Sequence, residues 1–230
     1  MGTTEDERQA SGTTRLTRRD LLLYGATGAA VMLGVGGVAK YALGTTPLLR
    51  PPGGQDETRF LAACIKCDRC RSACPYNTIS VASISDGILN ARTPKMSFRI
   101  GRYTRGGKDG TGAFAGTGEG FCNFCGLCIK NCPTEALRPF DPATEWIGQA
   151  VIDEGLCIAF HNEGGCRKCV DECPFAAITL DEHSRPVIDA ASCNGCGVCE
   201  NICPSNTYRS YQGSTQRGVN VERTDERRPR

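Results

Sequence analysis

Aromatic residues are scarce in this chain: one tryptophan, six tyrosines and eight phenylalanines among 230 residues. With hydrophobic residues at 40%, such a length suits one or two domains without promising a large apolar core. Thin-cored domains need staples, and metal centres can act as such. Net charge is also nearly missing, at +2, which leaves no electrostatic footprint for nucleic acid. Histidine is almost absent. His161 and His183 read as loop residues in solvent, and the carboxylates are scattered, so no acid–base constellation can be assembled. Residues 101–120 hold eight glycines, but no Gly-Lys-Ser/Thr follows them. That excludes a phosphate loop. The stretch reads as a flexible surface insertion, the alternative being a docking loop that orders on contact.

Cysteine, by contrast, is abundant: sixteen residues. Cys193, Cys196, Cys199 and Cys203 precede Pro204 in the order C-x2-C-x2-C-x3-C-P, the bacterial ferredoxin run for [4Fe–4S] cubanes. Cys64, Cys67, Cys70 and Cys74 precede Pro75, and Cys122, Cys125, Cys128 and Cys132 precede Pro133. A third copy has Cys157 set apart by eight residues, then Cys166, Cys169 and Cys173 before Pro174. The spacing has a physical basis. Thiolates three residues apart can wrap one corner of a cube, small residues such as Gly195 and Gly197 let backbone approach closely, and proline turns the chain away. These four quartets use every cysteine. They imply four [4Fe–4S] clusters as cofactors, with all sixteen cysteines as metal ligands.

Disulfides and zinc are the competing readings. Cysteines three apart, four times over, make poor disulfide geometry, and zinc sites favour well-separated C-x2-C pairs, which are missing here. No C-x3-C-x2-C run for a radical-forming cluster occurs, so the chain is expected to be an electron carrier and not an enzyme. Each oxidised four-thiolate cluster carries about −2, which would bring the loaded protein to roughly −6.

In chain order, residues 1–44 read as a twin-arginine export signal or an N-terminal membrane anchor. Thr17, Arg18, Arg19 and Asp20 lead into a leucine-rich, then Ala/Gly-rich apolar run. Export of a folded chain suits clusters built in a reducing cytoplasm. Residues 45–57 read as a Pro/Gly linker. Residues 58–205 form the four-cluster domain, interrupted by the 101–120 insertion, and 206–230 form a C-terminal tail. Within it, 218–221 is an apolar stretch that can return to the core. Short extended segments at 78–82, 150–153, 177–180 and 186–189 alternate with helical turns. The expected class is therefore α+β: tandem bacterial ferredoxin-like units, each for two clusters, with short strands, short helices and long loops. Lys66, Arg69 and Arg71 crowd the first motif, either raising its potential, facing an acidic partner, or serving as simple surface charges.

Pairing of the motifs is open on spacing. Nineteen residues separate Cys173 from Cys193, which suits one tight unit of motifs three and four; forty-seven separate Cys74 from Cys122.

The signal stretch, Leu49-Arg50-Pro51-Pro52-Gly53, the four motifs and above all the displaced Cys157 together resemble the ferredoxin-type proteins of periplasmic nitrate reductase and methylamine-utilisation systems (NapG/MauM type). The resemblance runs from Arg18 to about Pro204. The compact second motif and the Gly-rich loop before it depart from the family pattern. The resemblance implies that motifs two and three nest inside one and four. It also implies a periplasmic location, or the outer face of the cytoplasmic membrane, reached by the twin-arginine export machinery. Its expected partners are a membrane-bound iron–sulfur or quinol-oxidising protein as donor and a periplasmic reductase or its cytochrome as acceptor. The alternative function is the iron–sulfur electron-transfer subunit of a molybdopterin oxidoreductase complex; a third is a non-redox assembly factor with structural clusters.

Overall fold

In this computed structural model the described residues are 47–104, 117–161, 165–205 and 217–224. The twin-arginine stretch, the centre of the glycine-rich insertion and the last six residues lie outside them.

Among the described residues every element is short. The helices are α1 (Glu57–Ala63), α2 (Arg69–Ser72), α3 (Leu127–Lys130), α4 (Ile158–His161), α5 (Lys168–Asp171) and α6 (Val198–Ile202). The strands are β1 (Ile79–Val81), β2 (Pro94–Met96), β3 (Tyr103–Thr104), β4 (Thr117–Gly118), β5 (Gln149–Ile152), β6 (Ile178–Leu180), β7 (Pro186–Ile188) and β8 (Val219–Glu222). The brevity follows from the cysteine runs. Helices α2, α3, α5 and α6 each begin one residue before the third cysteine of a motif, and the proline after the fourth cysteine stops them. One turn of helix carries the fourth cysteine about 5–6 Å along the axis from the third.

In the three compact motifs the residues just before and just after the second cysteine are left-handed. These are Lys66 and Asp68 (φ 57° and 61°), Phe124 and Gly126 (60° and 71°), and Gly195 and Gly197 (79° and 82°). Such alternation turns successive backbone N–H groups toward one concave side, an arrangement that favours a negatively charged group. The stretched third motif differs: Arg167 has φ −132°.

The strands pair in four separate antiparallel couples. β1 meets β2 with Ile79 opposite Met96. β6 meets β7 with Ile178 opposite Ile188. The turn between β6 and β7 is closed by Asp181, whose carboxylate accepts the N–H groups of His183 and Arg185 at 2.9 and 2.7 Å. β3 and β4 close the base of the glycine-rich insertion. β8, from the C-terminal tail, pairs along β5, placing Val221 opposite Ala150. Val219 and Val221 are buried there. The apolar 218–221 stretch thus returns to the body.

The stretch read as a linker, 45–57, is part of the body from Pro47 onward. Arg50, Pro51 and Pro52 are buried, and the Arg50 side chain is fully enclosed beside Glu57. Its guanidinium lies 4.6 Å from the centre of the Phe60 ring and donates to Thr93 Oγ1, the Pro94 carbonyl and Asn90 Oδ1. Glu57 also accepts from Arg223 at 2.7 Å. Helix α1 starts here because the Asp56 carboxylate caps the Arg59 N–H. Proline and glycine suggested a tether; the buried arginine made it a wall of the core.

Phe60, Ile79, Met96, Phe98, Leu137, Ile147, Ala150, Ile178, Val219 and Val221 form one buried cluster together with Cys122, Cys128 and Cys199. Tyr103, Phe121 and Val198 form a second with Cys196. The thin core is built around the cysteines.

Candidate metal centres

No cysteine is in a disulfide; all sixteen are free thiols in the structure. They gather in four sets, each with three members from one motif and a fourth from another. Burial pushes the Cys70 thiol up to about 11, and the neighbouring charges of Cys64, Cys132 and Cys67 push the same way. Cys64 is raised by burial too, with Cys132 the first of the neighbouring thiols acting on it. Cys132 therefore sits with motif one. Reciprocally, burial pushes Cys128 up to about 12, aided by Cys125 and Cys74, and Cys122 well up, aided by Cys128, Cys74 and Cys125. Cys74 sits with motif two.

The second half repeats the exchange. Burial holds Cys169 up at about 12, with Cys157, Cys203 and Cys166 adding to it. Cys199 is pushed well up by burial, then by Cys196, Cys193 and Cys173. Motif one pairs with two, and three with four. The nested arrangement of two with three inside one with four does not occur. The reason is local: each single helical turn hands its last cysteine to the motif whose short helix packs against it, α2 against α3 and α5 against α6.

Two enclosed cavities match residue for residue. One is walled by Cys74, Tyr76, Cys122, Phe124, Cys125 and Cys128, the other by Cys173, Phe175, Cys193, Gly195, Cys196 and Cys199. Backbone donors point at their sulfurs. Ala177 N–H lies 3.3 Å from Cys173 Sγ, and Ala150 N–H lies 3.4 Å from Cys193 Sγ. Cys132 is the exception among the shifted thiols: burial opposes its ionisation, but the N–H groups of Leu137, Thr134 and Ala136 outweigh it and lower its pKa. Among the described residues no three His, Cys, Asp or Glu side chains converge as ligands of one single ion would. A cubane keeps its thiolates on four different irons, and so farther apart. Apolar, thiol-walled cavities with inward N–H groups fit such a group.

Comparison with known proteins agrees with this geometry. Residues 63–136 and 164–207 match the model of the 4Fe-4S dicluster domain, one stretch for each half. The ferredoxin-type protein NapG of Escherichia coli is 32% identical over 204 residues, covering 80% of this chain and 78% of that one. The methylamine utilization ferredoxin-type protein MauM of Paracoccus denitrificans is 32% identical over 217 residues, covering 86% and 87%. The chain belongs to the NapG/MauM family of ferredoxin-type proteins. The shorter ferredoxin-type protein NapF of Escherichia coli is 29% identical over 160 residues, covering 68% of this chain and 80% of that one. The chain is accordingly a ferredoxin-type iron–sulfur electron carrier rather than an enzyme, and its two dicluster domains with sixteen cysteines fit four [4Fe–4S] clusters.

The two halves of this NapG/MauM relative meet at features that the cysteine spacing did not announce. Phe124, beside the motif-two cavity, lies edge-on to Phe175, beside the motif-four cavity, with centroids 6.1 Å apart. The signal was present in the repeated aromatic after Cys-Pro, Tyr76 and Phe175. Glu200, buried on α6, receives Arg99 at 3.0 Å and the Val221 N–H at 2.7 Å. Arg217 caps the end of α6 by donating to the carbonyls of Glu200 and Asn201. The two histidines are exposed. His161 pairs only locally, through Nε2 and the Gly155 carbonyl at 3.0 Å.

Proposed function

We propose that the chain holds four [4Fe–4S] clusters in one row and relays electrons outside the cytoplasm. The observation that carries the reading is the exchange of fourth cysteines within each half. The ligand sets are then Cys64, Cys67, Cys70 with Cys132; Cys122, Cys125, Cys128 with Cys74; Cys157, Cys166, Cys169 with Cys203; and Cys193, Cys196, Cys199 with Cys173. When bound, the clusters supply one-electron redox chemistry. The chain supplies order and shielding. Burial, backbone N–H groups and nearby charge set the potential at each site.

The row runs motif one, two, four, three. Motifs one and two share a unit, three and four share the other, and motifs two and four meet at Phe124 and Phe175. The ends are therefore at motifs one and three. A membrane-bound iron–sulfur or quinol-oxidising donor and a periplasmic reductase or its cytochrome are the partners proposed for those ends, in keeping with the systems after which the relatives are named. The twin-arginine stretch at Arg18 and Arg19 supports export of the loaded chain.

Anaerobic purification with iron and sulfide analysis tests the first part. About sixteen irons per chain, with EPR signals that appear on reductive titration, are expected. Stoichiometric zinc, or bridged thiols in a colourless preparation, overturns the reading. Replacement of Arg18 and Arg19 by lysine tests the second part: the loaded chain is expected to stay in the cytoplasmic fraction. Unchanged export would remove the twin-arginine route.

A further inference from the structure

The exposed apolar surface is concentrated at one end of the row. Among the described residues eight large hydrophobics stand in solvent, and six of them (Ile65, Val81, Ile84, Ile88, Leu89 and Ile100) belong to the first motif or to the segment following it. Ile84 is 77% exposed and Ile65 62%. They are brought together by the fold. Lys66 Nζ donates to the Leu89 carbonyl at 3.3 Å, which holds the 84–89 loop against the motif-one cysteine loop. Val81 and Ile100 share an open groove with Arg71, next in sequence to Cys70. Apolar exposure on that scale, gathered in one place, marks an interaction site.

The charges of the same face are one-sided. Asp86 is engaged by Lys95 at 2.6 Å, and Arg99 by Glu200 at 3.0 Å. Among the described residues that leaves Lys66, Arg69, Arg71 and Arg92 exposed or half-buried against two carboxylates, Asp68 and Glu119, the latter taking the Asn77 amide at 2.7 Å beside the same groove. Cys67, the middle cysteine of motif one, is exposed in the midst of them. At the other end of the row, by contrast, the equivalent Cys166 is half-buried and Cys157 buried, and among the described residues the second half carries one exposed large apolar residue, Val187.

We propose that the motif-one end is the docking face for a redox protein whose own contact surface is apolar and ringed by carboxylates. This rests on the four-cluster relay proposed above and names the port through which one partner meets it. An apolar centre with arginines around it is the composition of protein–protein contact surfaces. Positive charge there steers an acidic partner in and is screened by salt. A small, transient contact suits electron transfer. Cys67 at the surface then puts the first cluster of the row within reach of that contact.

The test uses the full chain, purified anaerobically with its iron. Its oxidised form is mixed in a stopped-flow instrument with a reduced plant-type ferredoxin as a small acidic probe, with a reduced basic cytochrome c as counter-probe, and with dithionite as a small reductant. The acidic probe is expected to react faster, and its rate to fall at least tenfold as salt is raised. Ile84→Asp with Ile88→Asp, and separately Arg69→Glu with Arg71→Glu, are expected to slow the acidic probe at least tenfold while iron content, EPR spectra and the dithionite rate stay as in the parent chain. Parent-like rates with the acidic probe in both variants overturn the proposal. So does a preference for the basic probe. So does binding of the parent chain, but not of the isoleucine variant, to anionic lipid vesicles with no change in rate, which would make the face a membrane surface. A parent dimer split to monomer by the isoleucine variant would assign the face to a second copy instead. Absence of iron from the parent chain would instead bring down the relay itself, so the two failures are distinguishable.

Discussion

The backbone N–H of Cys122 donates to the carbonyl of Cys196 at 2.8 Å. One residue is the first cysteine of motif two, the other the second cysteine of motif four. This bond ties the two dicluster units through a residue that walls each cavity. Around it, Asn201 extends the tie. Its side chain accepts from the Tyr103 N–H and donates to the carbonyls of Phe98 and Ile100. Main chain and one buried amide thus fasten the junction beside the Phe124–Phe175 and Arg99–Glu200 contacts, and such networks hold distance firmly. A fixed spacing between the middle members of a row is what a one-electron relay requires.

The exchange of fourth cysteines predicts how iron is lost on substitution. Cys67→Ser and Cys132→Ser should each remove about four irons, one cluster. Their combination should again remove about four, because both residues hold the same cluster. Cys67→Ser combined with Cys203→Ser should remove about eight. Iron and sulfide analysis of the two single and two double variants decides it. A loss of about eight irons in the Cys67→Ser/Cys132→Ser chain would restore the nested pairing.

The iron–sulfur dicluster character was legible in the sequence because the cysteine spacing is itself the shape of a cubane site. Pairing was not, because spacing fixes what one motif can wrap but not which neighbour packs beside it. The nineteen-residue interval after Cys173 did carry the correct pair, since β6 and β7 form a simple hairpin. The forty-seven residues before Cys122 are more than a tight unit needs. Those of them that are described fold into the β1–β2 couple, a turn of 3-10 helix at Ile84–Asp86 and the β3–β4 base. Arg50 was the other illegible residue. Nothing local in a Pro/Gly stretch tells that an arginine will be enclosed by Glu57, Asn90 and Thr93, which come from up to 43 residues away.

Gly197 and Gly126 occupy equivalent places in motifs four and two, both left-handed. Their surroundings differ. A Cβ on Gly197 would come within 2.0 Å of the Phe98 ring, whereas one on Gly126 would meet nothing within 4 Å. Gly126→Ala should cost only the backbone strain, about 1–2 kcal/mol. Gly197→Ala should add overpacking of about 1–3 kcal/mol and loosen the seat of Phe98. Thermal unfolding of the loaded chains should show the larger fall for Gly197→Ala. Equal falls would mean that Phe98 does not press on motif four.

Glu57 balances two arginines, the enclosed Arg50 and the partly exposed Arg223. Glu57→Ala leaves a buried guanidinium without its counter-charge, a loss of about 3 kcal/mol or more. For a chain of this size that is roughly 6–12 °C in thermal midpoint. Arg223→Ala alone should cost less, about 1 kcal/mol, since its side chain reaches solvent. The double variant should fall short of the sum of the two losses, because the side chains share one contact; it can exceed Glu57→Ala by the bond that Arg223 also donates to the Gln55 carbonyl at 2.9 Å. Fully additive losses would show that the Arg223–Glu57 contact itself contributes nothing.

Removal of the iron should dissolve the fold. Each sheet has two strands, and a lone pair of strands is marginal in water. The apolar cluster that might support them includes Cys122, Cys128 and Cys199 among its members, so emptying the sites opens the core from within. Folding and loading are therefore one equilibrium. Arg217 offers a direct readout. It is 6% exposed and donates to the carbonyls of Glu200 and Asn201 at the end of α6, so trypsin should spare the bond after it in the loaded chain. After oxidative chelation of the iron the same bond should be cut rapidly, and near-UV circular dichroism should fade. A chelated chain that keeps Arg217 protected and unfolds in a sharp transition would show that the apolar residues hold the body together without the metal.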